Sequence, residues 1–272
     1  MGKKSIGKCA LCRKECQLTF EHIPPRAAFN STPAKPISGD EALFDDDRMP
    51  WDTTGLPYQN QQKGMGRYSL CPVCNNNTGS WYGDDYIIVA QVVHSILSKP
   101  IDPKYQGFGV RNIHPLRFIK QILSMFCSIN NFEDVRIDTI RKFVIDKDAV
   151  GLDKSKYKIC MYLTRSTLMK YAPLSVVLSM GETTYESMAL SEITAYPLGF
   201  VLYFDPTDTF HYDGLDITHF ADCRFDDVMD IQMPFCIYEM NDFLPTYYRS
   251  KEEIQNCINK NKEWVKKNAK DS

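Results

Sequence analysis

The chain has 272 residues, with 32 Lys and Arg against 34 Asp and Glu, a net charge of −2, a pI near 6.2 and 43% hydrophobic residues. That hydrophobic share is enough for an ordinary core and excludes a disordered chain, while the balanced charge excludes a protein that coats nucleic acid by bulk electrostatics, so phosphate contacts must be local. The longest apolar runs, 87–93 and 174–178, fall short of the roughly 20 residues of a membrane span, and the expectation is a soluble, cytoplasmic protein with no membrane partner.

In chain order, the first element is a knuckle, Cys9-Ala10-Leu11-Cys12, followed by a strand over 17–20 that delivers Glu21-His22 and stops at Pro24-Pro25. Residues 30–66 are rich in Pro, Gly, Asp and Gln, with little apolar periodicity, and read as an inserted loop whose run Asp45-Asp46-Asp47 reads as solvated, with a gate or a metal site as the alternatives. A second knuckle, Cys71-Pro72-Val73-Cys74, passes into Asn75-Asn76-Asn77. Asp84 or Asp85 is expected to cap a helix reaching about residue 98, with Tyr86, Val89, Ala90, Val93 and Leu97 on one face. Helices follow over 115–129, opened by Pro115, and over 133–146. From residue 156 the pattern changes to strands, expected over 157–164, 174–180, 198–204 and 235–240. A lysine-rich helix over 251–269, capped by Ser250, closes the order, with Ile254, Cys257, Ile258 and Trp264 on its apolar stripe.

This is an α+β chain in two parts: a zinc-stapled domain over 1–99 that carries the insertion 30–66, and a mixed α/β accessory domain over 100–272. The division rests on the two Cys-x-x-Cys pairs. Of the ten cysteines, Cys127, Cys160, Cys223, Cys236 and Cys257 sit in apolar or helical surroundings and read as core residues, and Cys16 stands alone. Cys9, Cys12, Cys71 and Cys74 instead read as thiolate ligands of one tetrahedral zinc, which holds two distant segments together where little core exists.

The order Cys-x-x-Cys, Glu21-His22-Ile23-Pro24-Pro25-Arg26, Cys-x-x-Cys-Asn75 resembles the HNH (ββα-metal) endonucleases, particularly the zinc-stapled branch that includes phage recombination endonuclease VII. The resemblance covers roughly residues 7–98. It implies an N-terminal treble-clef (ββα-metal) finger, His22 as general base, and Glu21 with Asn75 as ligands of a catalytic divalent ion. Many members carry an asparagine before the second cysteine pair and a histidine or acidic residue in the helix after it. Here 64–70 has no asparagine and Thr78 occupies the helical position, so completion of the ion site falls to Asn76, Asn77, Asp84 or Asp85.

The chemistry asks for these groups in its own right. Hydrolysis of a phosphodiester needs a base to deprotonate water and a cation to take up the charge that grows on phosphate and leaving oxygen. Oxygen ligands from Glu21 and Asn75 suit Mg²⁺ or Mn²⁺, whereas thiolates suit zinc, so two metals are implied. Arg26, just beyond the proline turn, is placed to clamp a phosphate oxygen. Lys3, Lys4, Lys8, Arg13, Lys14 and Arg26 against Glu15 and Glu21 form a local basic patch. Trp81 and Tyr82 read as staples between finger and helix, with base stacking as the alternative.

The expected substrate is DNA, with RNA not excluded. Residues 205–242, with ten Asp and Glu against Arg224, should repel nucleic acid, which suits a regulatory protein partner or a homo-oligomer contact through the second part. His211 and His219 lie in that acidic stretch without companion ligands and read as ordinary histidines. Coupling of this kind is found in bacterial and phage-defence effectors with HNH domains. The alternative reading is a non-catalytic zinc finger that binds nucleic acid or protein.

Overall fold

A computed structural model describes residues 5–39, 48–49, 51–131, 133–180, 185–241, 246 and 248–268. The run Asp45–Asp47 lies outside the described residues. The chain opens with a hairpin of β1 (Ile6–Lys8) and β2 (Glu15–Gln17), whose turn carries the first knuckle. A second hairpin pairs β3 (Thr19–His22) with β4 (Gly66–Leu70), placing Glu21 opposite Arg67 and His22 opposite Gly66. The insertion departs from the end of β3 and returns at the start of β4, so its two ends meet beside His22.

Helix α1 (Pro72–Leu97) follows β4 directly. It starts some twelve residues before the expected Asp84 or Asp85, because Cys71 acts as its N-cap, with Sγ accepting the Cys74 N–H, and Pro72 sits at the first turn. The polar run 75–80 hides that first half from a hydrophobic pattern, since Thr78 and Tyr82 carry the buried stripe there. Asp85 serves a different helix: its carboxylate accepts from the backbone N–H of His114 at 2.9 Å and from His114 Nδ1 at 3.0 Å. His114 is in turn the N-cap of α2 (Pro115–Ile129).

Helix α2 is the centre of the molecule. Apart from Arg117 every residue in it is buried, including Lys120, Gln121, Ser124 and Ser128. A helix buried all round must be covered on every side, and α2 has α1, α3 (Val135–Ile145), the β4 side of the second hairpin and a five-stranded sheet around it. Lys120 Nζ donates to the carbonyls of Asp146 (2.6 Å) and Lys147 (3.0 Å) just past the end of α3, and burial lowers its pKa to about 8. Tyr82, expected as a staple, is wholly buried and donates to the carbonyl of Val144 at 2.8 Å.

The sheet is antiparallel, in the order β10 (Leu215–Asp216), β6 (Tyr157–Leu163), β9 (Leu198–Phe204), β8 (Tyr185–Ala195), β7 (Lys170–Met180). One face receives the helices, with Phe200 against Tyr86 and Phe118. The other buries Cys160, Tyr162, Met188, Leu190, Val201, Tyr203 and Met240. On that side Glu192, fully buried, pairs with Lys170 at 3.0 Å and accepts from Tyr162 (2.6 Å), Tyr248 (3.1 Å) and the backbone of Thr246 (2.7 Å). Both side-chain oxygens of Glu192 thus have partners.

The strand expected over 235–240 is displaced: β11 (Met229–Pro234) pairs instead with β5 (Gly107–Ile113), and Ile237 makes only an isolated bridge to Leu163. Strands β5 and β8 were not expected. The acidic stretch 205–242 is not a bare negative face, because Asp216, Asp222 and Asp226 are paired with Lys158, Lys154 and Arg117. His211, 3.8 Å from Asp213, and His219, edge-on to Phe220, sit there as ordinary histidines. The last described element is α4 (Lys251–Asn268), close to the expected bounds.

Among the described residues the architecture is thus mixed α and β, with four α-helices, the five-stranded sheet and three two-stranded sheets. One apolar core runs from Cys9 to Met233 across position 99. The first knuckle is tied across the same boundary by Arg13 to Asp138 (2.9 Å) and by Arg141 to the carbonyl of Leu11 (2.7 Å). No helix among the described residues is long and apolar enough to cross a membrane.

Candidate functional site

Four sulfurs and a cavity lie side by side. The Sγ atoms of Cys9, Cys12, Cys71 and Cys74 all fall within 4.8 Å of one another. Zinc–sulfur bonds of about 2.3 Å arranged as a tetrahedron put neighbouring sulfurs roughly 3.8 Å apart, and Cys12 and Cys71 are separated by 3.8 Å. The Cys71 N–H points at Cys9 Sγ and the Cys74 N–H at Cys71 Sγ, each at 3.3 Å. The hydrogen bond from the Cys74 thiol pulls Cys9 down to about 4 and pushes Cys74 above the ordinary thiol range. The donor set therefore fits a structural zinc, which would replace the shared protons of the cluster. Cys16 is outside the four and donates to the carbonyl of Lys14 at 3.4 Å.

Beside this cluster a cavity of about 310 Å³ is lined by Glu21, His22, Arg26, Asn75, Thr78 and Gln121, among others. The structure thus brings together Glu21, His22, Arg26 and Asn75 around one cavity. His22 Nε2 lies 2.9 Å from the carbonyl oxygen of Lys63. A carbonyl can only accept, so Nε2 is the donor in this contact, and in the neutral form of a ring so anchored the lone pair is on Nδ1. The Lys63 carbonyl is held by the closure of the insertion: Gly64 adopts φ +95°, and a Cβ there would lie 2.1 Å from the carbonyl oxygen of Asn30. Asn30 is the clasp. Its amide nitrogen donates to the carbonyls of Pro24 (2.7 Å) and Met65 (2.8 Å), and its oxygen accepts the Met65 N–H (2.7 Å).

Asn75 is fixed in orientation. Its Nδ2 donates to Thr19 Oγ1 at 3.0 Å, while Thr19 itself donates to the carbonyl of Leu70 at 2.9 Å, so Oδ1 is left over. Glu21 is 5% exposed; Ser69 (3.0 Å) and Ser128 both donate to its Oε2, and Oε1 accepts no hydrogen bond among the described residues. Burial outweighs these two hydroxyls and raises the carboxyl to about 7. Arg26 is exposed at the rim and forms no ion pair among the described residues.

Of the residues expected to complete an ion site, Asp85 is committed to His114, while Asp84 is exposed and Asn76 and Asn77 are not part of the cavity lining. Sequence reasoning missed Ser69, Ser128, Asn30, Lys63 and Gln121. Ser128 and Gln121 come from α2, more than a hundred residues from Glu21 or forty-six from Asn75, and no local motif marks them. Comparison of the chain with protein-family models, curated proteins and solved structures finds no match.

Proposed function

We propose that the protein is a metal-dependent endonuclease of the HNH type, with a treble-clef finger stapled by zinc on Cys9, Cys12, Cys71 and Cys74. The observation that carries this reading is the anchoring of His22 Nε2 on the Lys63 carbonyl, which leaves Nδ1 as an available base in the cavity shared by Glu21 and Asn75. In this reading His22 Nδ1 takes the proton of the attacking water. Glu21 Oε1 and Asn75 Oδ1 are the oxygens that would hold Mg²⁺ or Mn²⁺, and the ion would stabilise charge on the phosphate and the leaving oxygen. Arg26 at the rim binds a neighbouring phosphate, so DNA enters along that side. The location of the finger within a larger α and β body suits an effector that joins cleavage to recognition of a partner, as in bacterial or phage defence.

A second reading, a zinc finger that binds without cutting, draws on one observation: Glu21 is buried with Oε2 already committed to two serines. Zinc-loaded protein incubated with plasmid and Mg²⁺ or Mn²⁺ separates the two. Cleavage is expected in wild type and a loss of about 10²–10⁴-fold in His22→Ala at unchanged zinc content and DNA affinity. Plasmid bound but left intact under both metals would reject the endonuclease in favour of the binding finger.

A further inference from the structure

The buried helix α2 carries a polar stripe on a three-and-four spacing: Gln121, Ser124 and Ser128. Ser128 reaches Glu21, and Gln121 lines the cavity. Gln121 is 4% exposed, yet its Oε1 has no hydrogen-bond partner among the described residues, and the same holds for Ser124 Oγ one turn on. A buried amide oxygen left without a donor is destabilising, and such groups in a native fold are ordinarily matched by a partner. Glu21 Oε1 and Asn75 Oδ1 also take no hydrogen bond among the described residues, and both residues line the same cavity.

Resting on the endonuclease reading, we infer that Gln121 is the third protein ligand of the divalent cation, presenting Oε1 alongside Glu21 and Asn75. Three oxygens, one charged and two neutral, with water in the remaining positions, make a set suited to Mg²⁺ or Mn²⁺, which retain several waters. Ser128 orients Glu21 from the same helix face, so α2 both supplies one ligand and aligns another. The helix belongs to the part of the chain after position 99, so the ion site is shared between the finger and the body it is packed on.

The test is calorimetric titration of Mn²⁺ into full-length, zinc-loaded protein, comparing wild type with Gln121→Met, Gln121→Glu and Glu21→Gln. Zinc content and thermal unfolding are measured on each. Gln121→Met keeps the volume and removes the oxygen, and it is expected to weaken Mn²⁺ binding by about tenfold or more. Gln121→Glu restores an oxygen and is expected to recover the affinity. Unchanged Mn²⁺ affinity in Gln121→Met, with affinity lost in Glu21→Gln, would overturn this ligand assignment alone. Loss in both Gln121 variants at intact zinc content would also overturn it, since only packing would then be at stake. A wild type that binds no Mn²⁺ would overturn the ion site and the endonuclease reading together.

Discussion

Replacing Glu21 by Gln tests the electrostatics of the cavity without relying on activity. The carboxyl has an ordinary value of 4.5 and is raised to about 7 by burial. A group with a raised folded-state pKa contributes stability that is fully present below its unfolded value and is lost as pH rises through the folded one. At about 1.4 kcal/mol per pH unit the gap corresponds to about 3 kcal/mol in total, of which about 2 kcal/mol falls between pH 5.5 and pH 8. Glutamine has the same shape, stays neutral, and can still meet the hydroxyls of Ser69 and Ser128. Urea unfolding with zinc present and Mg²⁺ and Mn²⁺ withheld should therefore show Glu21→Gln gaining on wild type by about 2 kcal/mol from pH 5.5 to pH 8. Adding Mn²⁺ at pH 8 should narrow the gap by stabilising only the wild type, because a cation on the carboxylate favours its charged form. Parallel pH profiles for the two proteins would refute the claim that Glu21 bears a buried, penalised charge.

Three further outcomes are expected. Cys71→Ser should release zinc and unfold the region around both hairpins, read by metal analysis and circular dichroism, because a structural site of this kind contributes its binding energy to folding; full zinc content in that variant would remove the four-cysteine assignment. Asn30→Ala removes three hydrogen bonds that close the insertion and should cost about 2–3 kcal/mol in chemical denaturation, while lowering cleavage through the loosened Lys63 carbonyl; wild-type stability would show that the clasp is dispensable. Asn75→Ala should shift the Mn²⁺ dependence of cleavage to higher concentration without loss of zinc, and loss of zinc instead would make Asn75 a support of the knuckle.

The sequence by itself determined the parts whose signal is local. The four ligating cysteines, Glu21-His22 beside the proline turn and Asn75 after the second pair are short-range patterns, and the structure brings these residues side by side. Helix α2 was legible with its bounds because Pro115 opens it and a strongly apolar run fills it, and β9 because a continuous apolar run marks a strand buried on both faces. The start of α1 was not legible, since its first turns are polar and its cap is a cysteine, a residue that reads as a ligand before it reads as a cap. Only tertiary structure decided which groups face the cavity. Gln121 lines it from a buried helix, while Ser128 of that helix and the Lys63 carbonyl at the end of a long insertion bind Glu21 and His22, and these roles depend on distances that no spacing in the chain records. The same holds for Asp85, which looked like a helix cap for its own segment and instead binds His114, the residue from which the next helix starts. A polar residue inside a helical pattern shows that something must satisfy it; what satisfies it is settled by the packing of segments far apart in the chain.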